Sequence, residues 1–225
     1  MSNTRPTEMG SATDPHAGQR VLQYGIPTTD ARLTAILLHG RGSSPEDILA
    51  LADQLAVADV AYIAPAAAGN SWYPQSFLAP LVQNEPALSS AMRVLERLVA
   101  SLGADGVSVE RLMIIGFSQG ACLGLEFAAR HAGRYAGLVA LSGGLIGPAG
   151  TPRDYAGSLA QTPVFLGCSD IDPHIPLWRV HESAEVLGRL DGVVDERIYP
   201  GMGHTVNRDE IDAVRLLLSS TRGRG

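Results

Sequence analysis

The 225-residue sequence predicts an α/β fold: a mostly parallel central sheet with helices on both sides and no large cap. Three features carry that expectation. Short apolar runs alternate with longer amphipathic ones, the rhythm of successive βα units. Runs such as Ala35-Ile36-Leu37-Leu38 are apolar without alternation, as strands covered on both faces should be. Between a strand ending near Ser142 and one starting at Pro163 there is room for a loop and at most a short helix, so the cleft above the sheet should be open.

The elements follow in order. Strands are expected over Val21–Tyr24, Leu33–Leu38, Val60–Ala64, Leu112–Ile115, Leu138–Leu141, Val164–Leu166 and Val194–Tyr199. Helices are expected over Pro45–Val57, Pro86–Leu102, Gln119–His131, Leu177–Leu190 and Arg208–Leu218. The second helix places Leu88, Met92, Leu95, Val99 and Leu102 on one face, a helical period. Asn84 is its expected N-cap, with Pro86 tolerated in the first turn. Residues 1–19, rich in polar residues, Pro and Gly, read as a disordered tail, and 20–220 as a single domain.

Composition narrows the function. Hydrophobic residues make up 45% of the chain, enough for a sizeable core, and the net charge of −6 leaves no basic stripe for nucleic acid. No apolar run is long enough to span a bilayer, and no hydrophobic block resembles a secretory signal, so a cytoplasmic location is expected. The two cysteines, Cys122 and Cys168, match no metal or redox spacing and read as small buried apolar groups. No cofactor is expected. The oligomeric state is left open, a homodimer included.

Chemistry concentrates at the carboxyl ends of strands, where open α/β sheets gather their ligands. Gly116-Phe117-Ser118-Gln119-Gly120 lies between a strand and a helix, the setting of a nucleophile elbow, in which a sharp turn exposes the serine. A serine hydroxyl needs a base to remove its proton during attack, and His204, in the glycine-rich Gly201–His204 loop, is the candidate. The requirement for neutral imidazole predicts activity that falls below about pH 6–7. Asp172 is the favoured acid to orient that imidazole, leaving Asp170 to hold the loop through backbone N–H groups, with Asp170 the alternative acid. A metal site of Asp170, Asp172 and His174 is a weaker reading, for want of a fourth ligand. Two backbone N–H groups should form an oxyanion hole: that of Gln119, after the serine, and that of Arg41, between Gly40 and Gly42. The 39–42 loop lacks the glycine pattern of a dinucleotide site and the Gly-Lys-Ser/Thr of a P-loop. Trp72, Tyr73 and Phe77 gather aromatic rings in one long loop and read as a substrate wall, Trp72 foremost and Met202 a lesser contributor. His39 reads as structural, and His16 as a tail residue with no role in catalysis.

Taken together, His-Gly-x-Gly at 39–42, Gly-Phe-Ser-Gln-Gly at 116–120, Leu-Ser-Gly at 141–143, Asp-Pro-x-Ile-Pro at 172–176 and Gly-x-Gly-His at 201–204 resemble the phospholipase/carboxylesterase family, which includes acyl-protein thioesterases and bacterial carboxylesterases. The resemblance spans roughly residues 20–220 and implies an α/β-hydrolase fold, no metal cofactor, and hydrolysis of small-molecule carboxylic esters or thioesters. It matches Ser118, Asp172 and His204 to the triad and the Arg41 and Gln119 amides to the oxyanion hole. Many members carry Leu where Arg41 stands, so its long cationic side chain bears on substrate preference. The Asn-Ser-Trp-Tyr-Pro run at 70–74 resembles a bacterial subgroup. The leading expectation is a serine carboxylesterase working through an acyl-enzyme on small to medium acyl esters, with a thioesterase as alternative. The rival from another class is a non-catalytic binding protein on a hydrolase scaffold.

Overall fold

The computed structural model describes residues 13–220, and the statements below concern those residues. Seven strands form one sheet: β1 (Val21–Gly25), β2 (Leu33–Leu38), β3 (Val60–Pro65), β4 (Leu112–Phe117), β5 (Gly137–Leu141), β6 (Pro163–Ser169) and β7 (Val193–Tyr199). Their spatial order is β1-β3-β2-β4-β5-β6-β7, with only β1 antiparallel to its neighbour. The six parallel strands therefore end on the same edge. Loops after β2, β4, β6 and β7 converge there, as the sequence requires.

Five α-helices cover the sheet: α1 (Pro45–Leu55), α2 (Ala87–Ala104), α3 (Gln119–Arg130), α4 (Leu177–Arg189) and α5 (Arg208–Ser220). Alternate side chains of β2 divide between two cores. Ile36 and Leu38 pack with residues of α2, α3 and α4, while Leu33, Ala35 and Leu37 pack with residues of α1 and α5. This double coverage explains why β2, β3 and β5 are apolar at nearly every position and fully buried. In α3 every residue but Arg130 is buried, which places this helix against the centre of the sheet. Helix α1 begins with a reciprocal capping box between Ser44 and Asp47 and carries Pro45 in its first turn, which satisfies donors that would otherwise lack partners.

Two expectations about local structure are corrected. Asn84 does not cap α2; Pro86 occupies that position, and the Asn84 side chain is buried, accepting from the Gln75 amide at 2.8 Å and donating to the Ser76 carbonyl at 3.0 Å. Its hydrogen-bonding capacity is spent on the long loop, because a buried polar group needs partners wherever they lie. Of the tail, residues 1–12 lie outside the described residues, but Thr13–Gln19 pack on the domain. Asp14 pairs with Arg93 and Arg97 of α2 at 3.3 and 3.2 Å, and His16 is 2% exposed. Among the described residues no helix is long and apolar enough to cross a membrane.

Candidate active site

Ser118 sits between β4 and α3 with φ 54° and ψ −120°, a conformation in which an ordinary side chain is strained. The strain is fixed by its surroundings. Its N–H donates to the Leu141 carbonyl at 2.9 Å, and its own carbonyl accepts from the Cys122 amide at 3.0 Å, starting the helix. The flanking glycines have a steric cause: a Cβ on Gly116 would lie 2.5 Å from the Ala121 nitrogen, and one on Gly120 would lie 2.2 Å from the Leu38 carbonyl oxygen. Strand and helix approach so closely at this turn that no larger residue fits at either position.

The structure brings His204 and Asp172 to this serine. His204 Nε2 lies 2.8 Å from Ser118 Oγ, and its Nδ1 lies 2.7 Å from Asp172 Oδ2. The other carboxylate oxygen of Asp172 accepts the amides of His174 and Ile175 at 2.8 and 3.0 Å. Burial pushes the Asp172 carboxyl upward, but the bonds from His204 and from those amides outweigh it and hold it below the usual carboxylate range. An ionised Asp172 keeps a proton on His204 Nδ1 and leaves Nε2 to accept from the serine. The Phe117 ring lies against His204 with centroids 5.0 Å apart, and His174 meets it edge-on at 4.8 Å.

Asp170 takes the other part foreseen for it. Its Oδ1 accepts the Gly201 amide at 2.8 Å, tying the loop after β6 to the loop that carries His204. Ser169 adds a second tie by donating to the Met202 carbonyl. With Asp172 turned to His204 and Asp170 to Gly201, the two carboxylates do not converge with His174 as a metal site would require.

The loop after β2 closes the other side. Gly40 packs on the elbow, since a Cβ there would lie 3.4 Å from Ser118 Cβ, and the Gly42 amide is held by the Asn70 carbonyl at 2.7 Å. Arg41 and Gln119 line the same cleft as Ser118. As the first residue of α3, Gln119 has no intrahelical acceptor for its backbone N–H. His39 is buried and structural: its Nε2 accepts the Ala67 amide at 3.1 Å, so Nδ1 carries the proton and donates to the Gly40 carbonyl at 2.8 Å. Burial holds its pKa below the ordinary imidazole value.

The cleft measures about 460 Å³, and Tyr73, Phe77, Phe117, Cys122, His174 and Ile175 contribute to its walls. Two of the three expected aromatic wall residues, Tyr73 and Phe77, lie there, but Trp72 does not. The Trp72 indole is fully buried and donates to the His39 carbonyl at 2.9 Å, so the ring braces the loop that bears Arg41. Indole burial with a partner for its N–H is the favourable arrangement, and it removes the ring from the cleft. Met202 is likewise absent from the lining. Burial pushes the Cys122 thiol up to about 12, so it lines the cleft as a neutral group.

Three residues contribute in ways the sequence reading did not assign. The Gln119 side chain accepts from the Trp72 amide at 2.9 Å and donates to the Tyr73 carbonyl at 2.8 Å, locking the aromatic loop to the start of α3. His16 accepts the Ala68 amide at 2.9 Å through Nδ1 and donates through Nε2 to the Trp72 carbonyl at 2.9 Å, so it braces the same loop. His174 lines the cleft beside His204. The Asp-Pro-His order placed His174 near the site; nothing local in the sequence signalled the other two.

Comparison with known proteins agrees with this architecture. A phospholipase/carboxylesterase from Dyadobacter fermentans shares 41% sequence identity, covering 90% of this chain and 97% of that one, with a TM-score of 0.87. Acyl-protein thioesterase 1 of Saccharomyces cerevisiae is 27% identical over 219 residues, 85% of this chain and 93% of the relative. Acyl-protein thioesterase 1 of Gibberella zeae is 30% identical over 146 residues, which span 61% of this chain and 60% of that protein. The sequence pattern of the Phospholipase/Carboxylesterase family matches residues 26–221, and the chain belongs to that family of esterase-type hydrolases.

Proposed function

We propose that the chain is a serine carboxylic-ester hydrolase that works through an acyl-enzyme, with residues 20–220 acting as one domain. The observation that carries this reading is the hydrogen-bonded chain from Ser118 through His204 to the buried Asp172, set at the base of an open cleft. Ser118 Oγ attacks the ester carbonyl while His204 Nε2 takes its proton. The carbonyl oxygen gains negative charge and is stabilised by the backbone N–H groups of Arg41 and Gln119. Asp172 holds the imidazole in place and stabilises its cationic form without taking the proton. His204 then delivers that proton to the leaving alcohol. Water attacks the acyl-enzyme with His204 again as base, the carboxylic acid departs and Ser118 regains its proton. Tyr73 and Phe77 wall the substrate, and the open cleft suits small to medium acyl groups. The free, buried thiols of Cys122 and Cys168 suit a reducing cytoplasm.

A thioesterase is the second reading, favoured by similarity to acyl-protein thioesterase 1 of Saccharomyces cerevisiae along most of its length. The same residues serve it, with a thiol as leaving group. Labelling by a fluorophosphonate tests the shared mechanism: it should be stoichiometric in the native protein and lost in Ser118→Ala. Failure of folded protein to label would instead favour a binding protein on a hydrolase scaffold. Comparing kcat/KM for a butyryl oxygen ester and the matched thioester then separates the two hydrolases.

A further inference from the structure

We infer that the Arg41 side chain selects substrates bearing a negative charge beside the scissile bond, so that the preferred esters or thioesters are anionic. This inference rests on the hydrolase reading and deepens it. Arg41 is exposed and lines the cleft that contains Ser118. Two of its N–H groups donate to the carbonyls of Pro74 and Gln75, at 2.8 and 2.6 Å, and its guanidinium carbon lies 6.0 Å from the centre of the Tyr73 ring. These contacts fix the group in position. Every one of those partners is uncharged, so the positive charge stays uncompensated and N–H donors remain available to a ligand.

Several other arginines are neutralised by carboxylates, whereas Arg111 and Arg134 also rest on backbone carbonyls but lie away from the cleft. Arg20 pairs with Glu46, Arg32 with Asp59, Arg130 with Glu126, Arg179 with Glu182 and Arg197 with Asp209. Among the described residues no carboxylate pairs with Arg41. The cleft's own lining reinforces this: it contains Arg41, His174 and His204, and no Asp or Glu side chain. Asp47, on an adjoining groove, is engaged by the Ser43 and Ser44 hydroxyls. In a chain of net charge −6, a cleft free of carboxylates and holding one fixed cation distinguishes substrates by charge. The ligand chemistry is a carboxylate or phosphate, carried on the acyl part or on the leaving group. A guanidinium held by two carbonyls and an aromatic face offers a carboxylate a planar donor edge, which a leucine at this position would not.

The test compares kcat/KM for matched pairs. Mono-p-nitrophenyl glutarate against p-nitrophenyl pentanoate places the charge on the acyl side; 4-carboxyphenyl butyrate against phenyl butyrate places it on the leaving group. On at least one pair, Arg41→Gln should lower the anionic-to-neutral ratio by roughly tenfold, and Arg41→Lys should largely preserve it. A merely structural role in bracing the 74–75 loop would depress both substrates alike and leave the ratio unmoved. Should Arg41→Gln fail to fold, the native protein still decides. Its ratio should fall severalfold between about 20 mM and about 500 mM NaCl, because salt screens an exposed charge. Ratios that are insensitive both to the variant and to salt, with neutral esters still turned over through Ser118, overturn the role of Arg41 alone. No turnover of any of the four esters, together with no fluorophosphonate labelling of Ser118, overturns both it and the hydrolase reading.

Discussion

The Nδ1 of His204 lies 2.7 Å from Asp172 Oδ2, while Asp172 Oδ1 is held by two backbone amides, so the carboxylate cannot turn away from the imidazole. The Asp170 side chain, two residues earlier, accepts instead from the Gly201 backbone amide of the His204 loop. The two acids therefore have separable effects.

Asp172→Asn should lower kcat by about 10³–10⁴-fold, because an amide no longer enforces the tautomer that leaves Nε2 free. Asp170→Asn should lower it by about tenfold or less, since only the anchoring of Gly201 weakens. Steady-state hydrolysis of p-nitrophenyl butyrate by both variants checks this. The reverse ranking would reassign the acid.

Ser118→Gly should abolish turnover yet stabilise the fold by about 1 kcal/mol. Glycine adopts φ 54°, ψ −120° without the strain that serine bears, and this gain exceeds the entropy lost by ordering an extra glycine. Thermal melts of Ser118→Gly beside Ser118→Ala check it: the alanine variant keeps the strain and should melt at the lower temperature.

Gln119→Ala should cost about 2–4 kcal/mol, because the Trp72 amide and the Tyr73 carbonyl both lose their side-chain partner in a buried setting. Urea unfolding measures the loss. The 71–77 loop should loosen before the rest of the domain, visible as faster amide exchange at Trp72.

Glu210 gives the fold a pH dependence of its own. It is buried against Gly167, its Oε2 accepts the Asn207 amide at 2.8 Å, and burial pushes its carboxyl from 4.5 up to about 7. Between those values the folded state binds the proton and the unfolded state does not. Stability from this group is therefore full below about pH 4.5 and is lost as pH rises to about 7, an effect of up to about 3 kcal/mol. Glu210→Gln should gain stability relative to the parent at about pH 8 and little at about pH 5. Equal effects at the two pH values would reject the account.

The parts of the site that were legible share one property: each sits at a strand end and carries a side chain with a single plausible chemistry. Ser118, Asp172, His204 and the 39–42 loop were placed by counting strands, since parallel strands must deliver their following loops to one edge. The aromatic loop was less legible. A run such as Trp72-Tyr73 in a loop does not encode which ring faces the cleft, and Trp72 turned inward because the His39 carbonyl accepts its indole N–H. Asn84 and His16 were misread for the same reason: their partners, Gln75 and Ser76 for one, Ala68 and Trp72 for the other, are contacts that helix and strand periodicity do not describe.

By itself the sequence determined the βα alternation, the order of the elements and the residue types that stand at each strand end. These are local matters of hydrophobic period and turn chemistry. The tertiary structure alone decided that Ser118 and His204, 86 positions apart, meet at 2.8 Å, which acid stands behind the imidazole, and which aromatic rings line the cleft. Such distances follow from strand register and from the paths of loops whose buried polar groups must each find a partner, and they emerge only when the whole sheet is assembled.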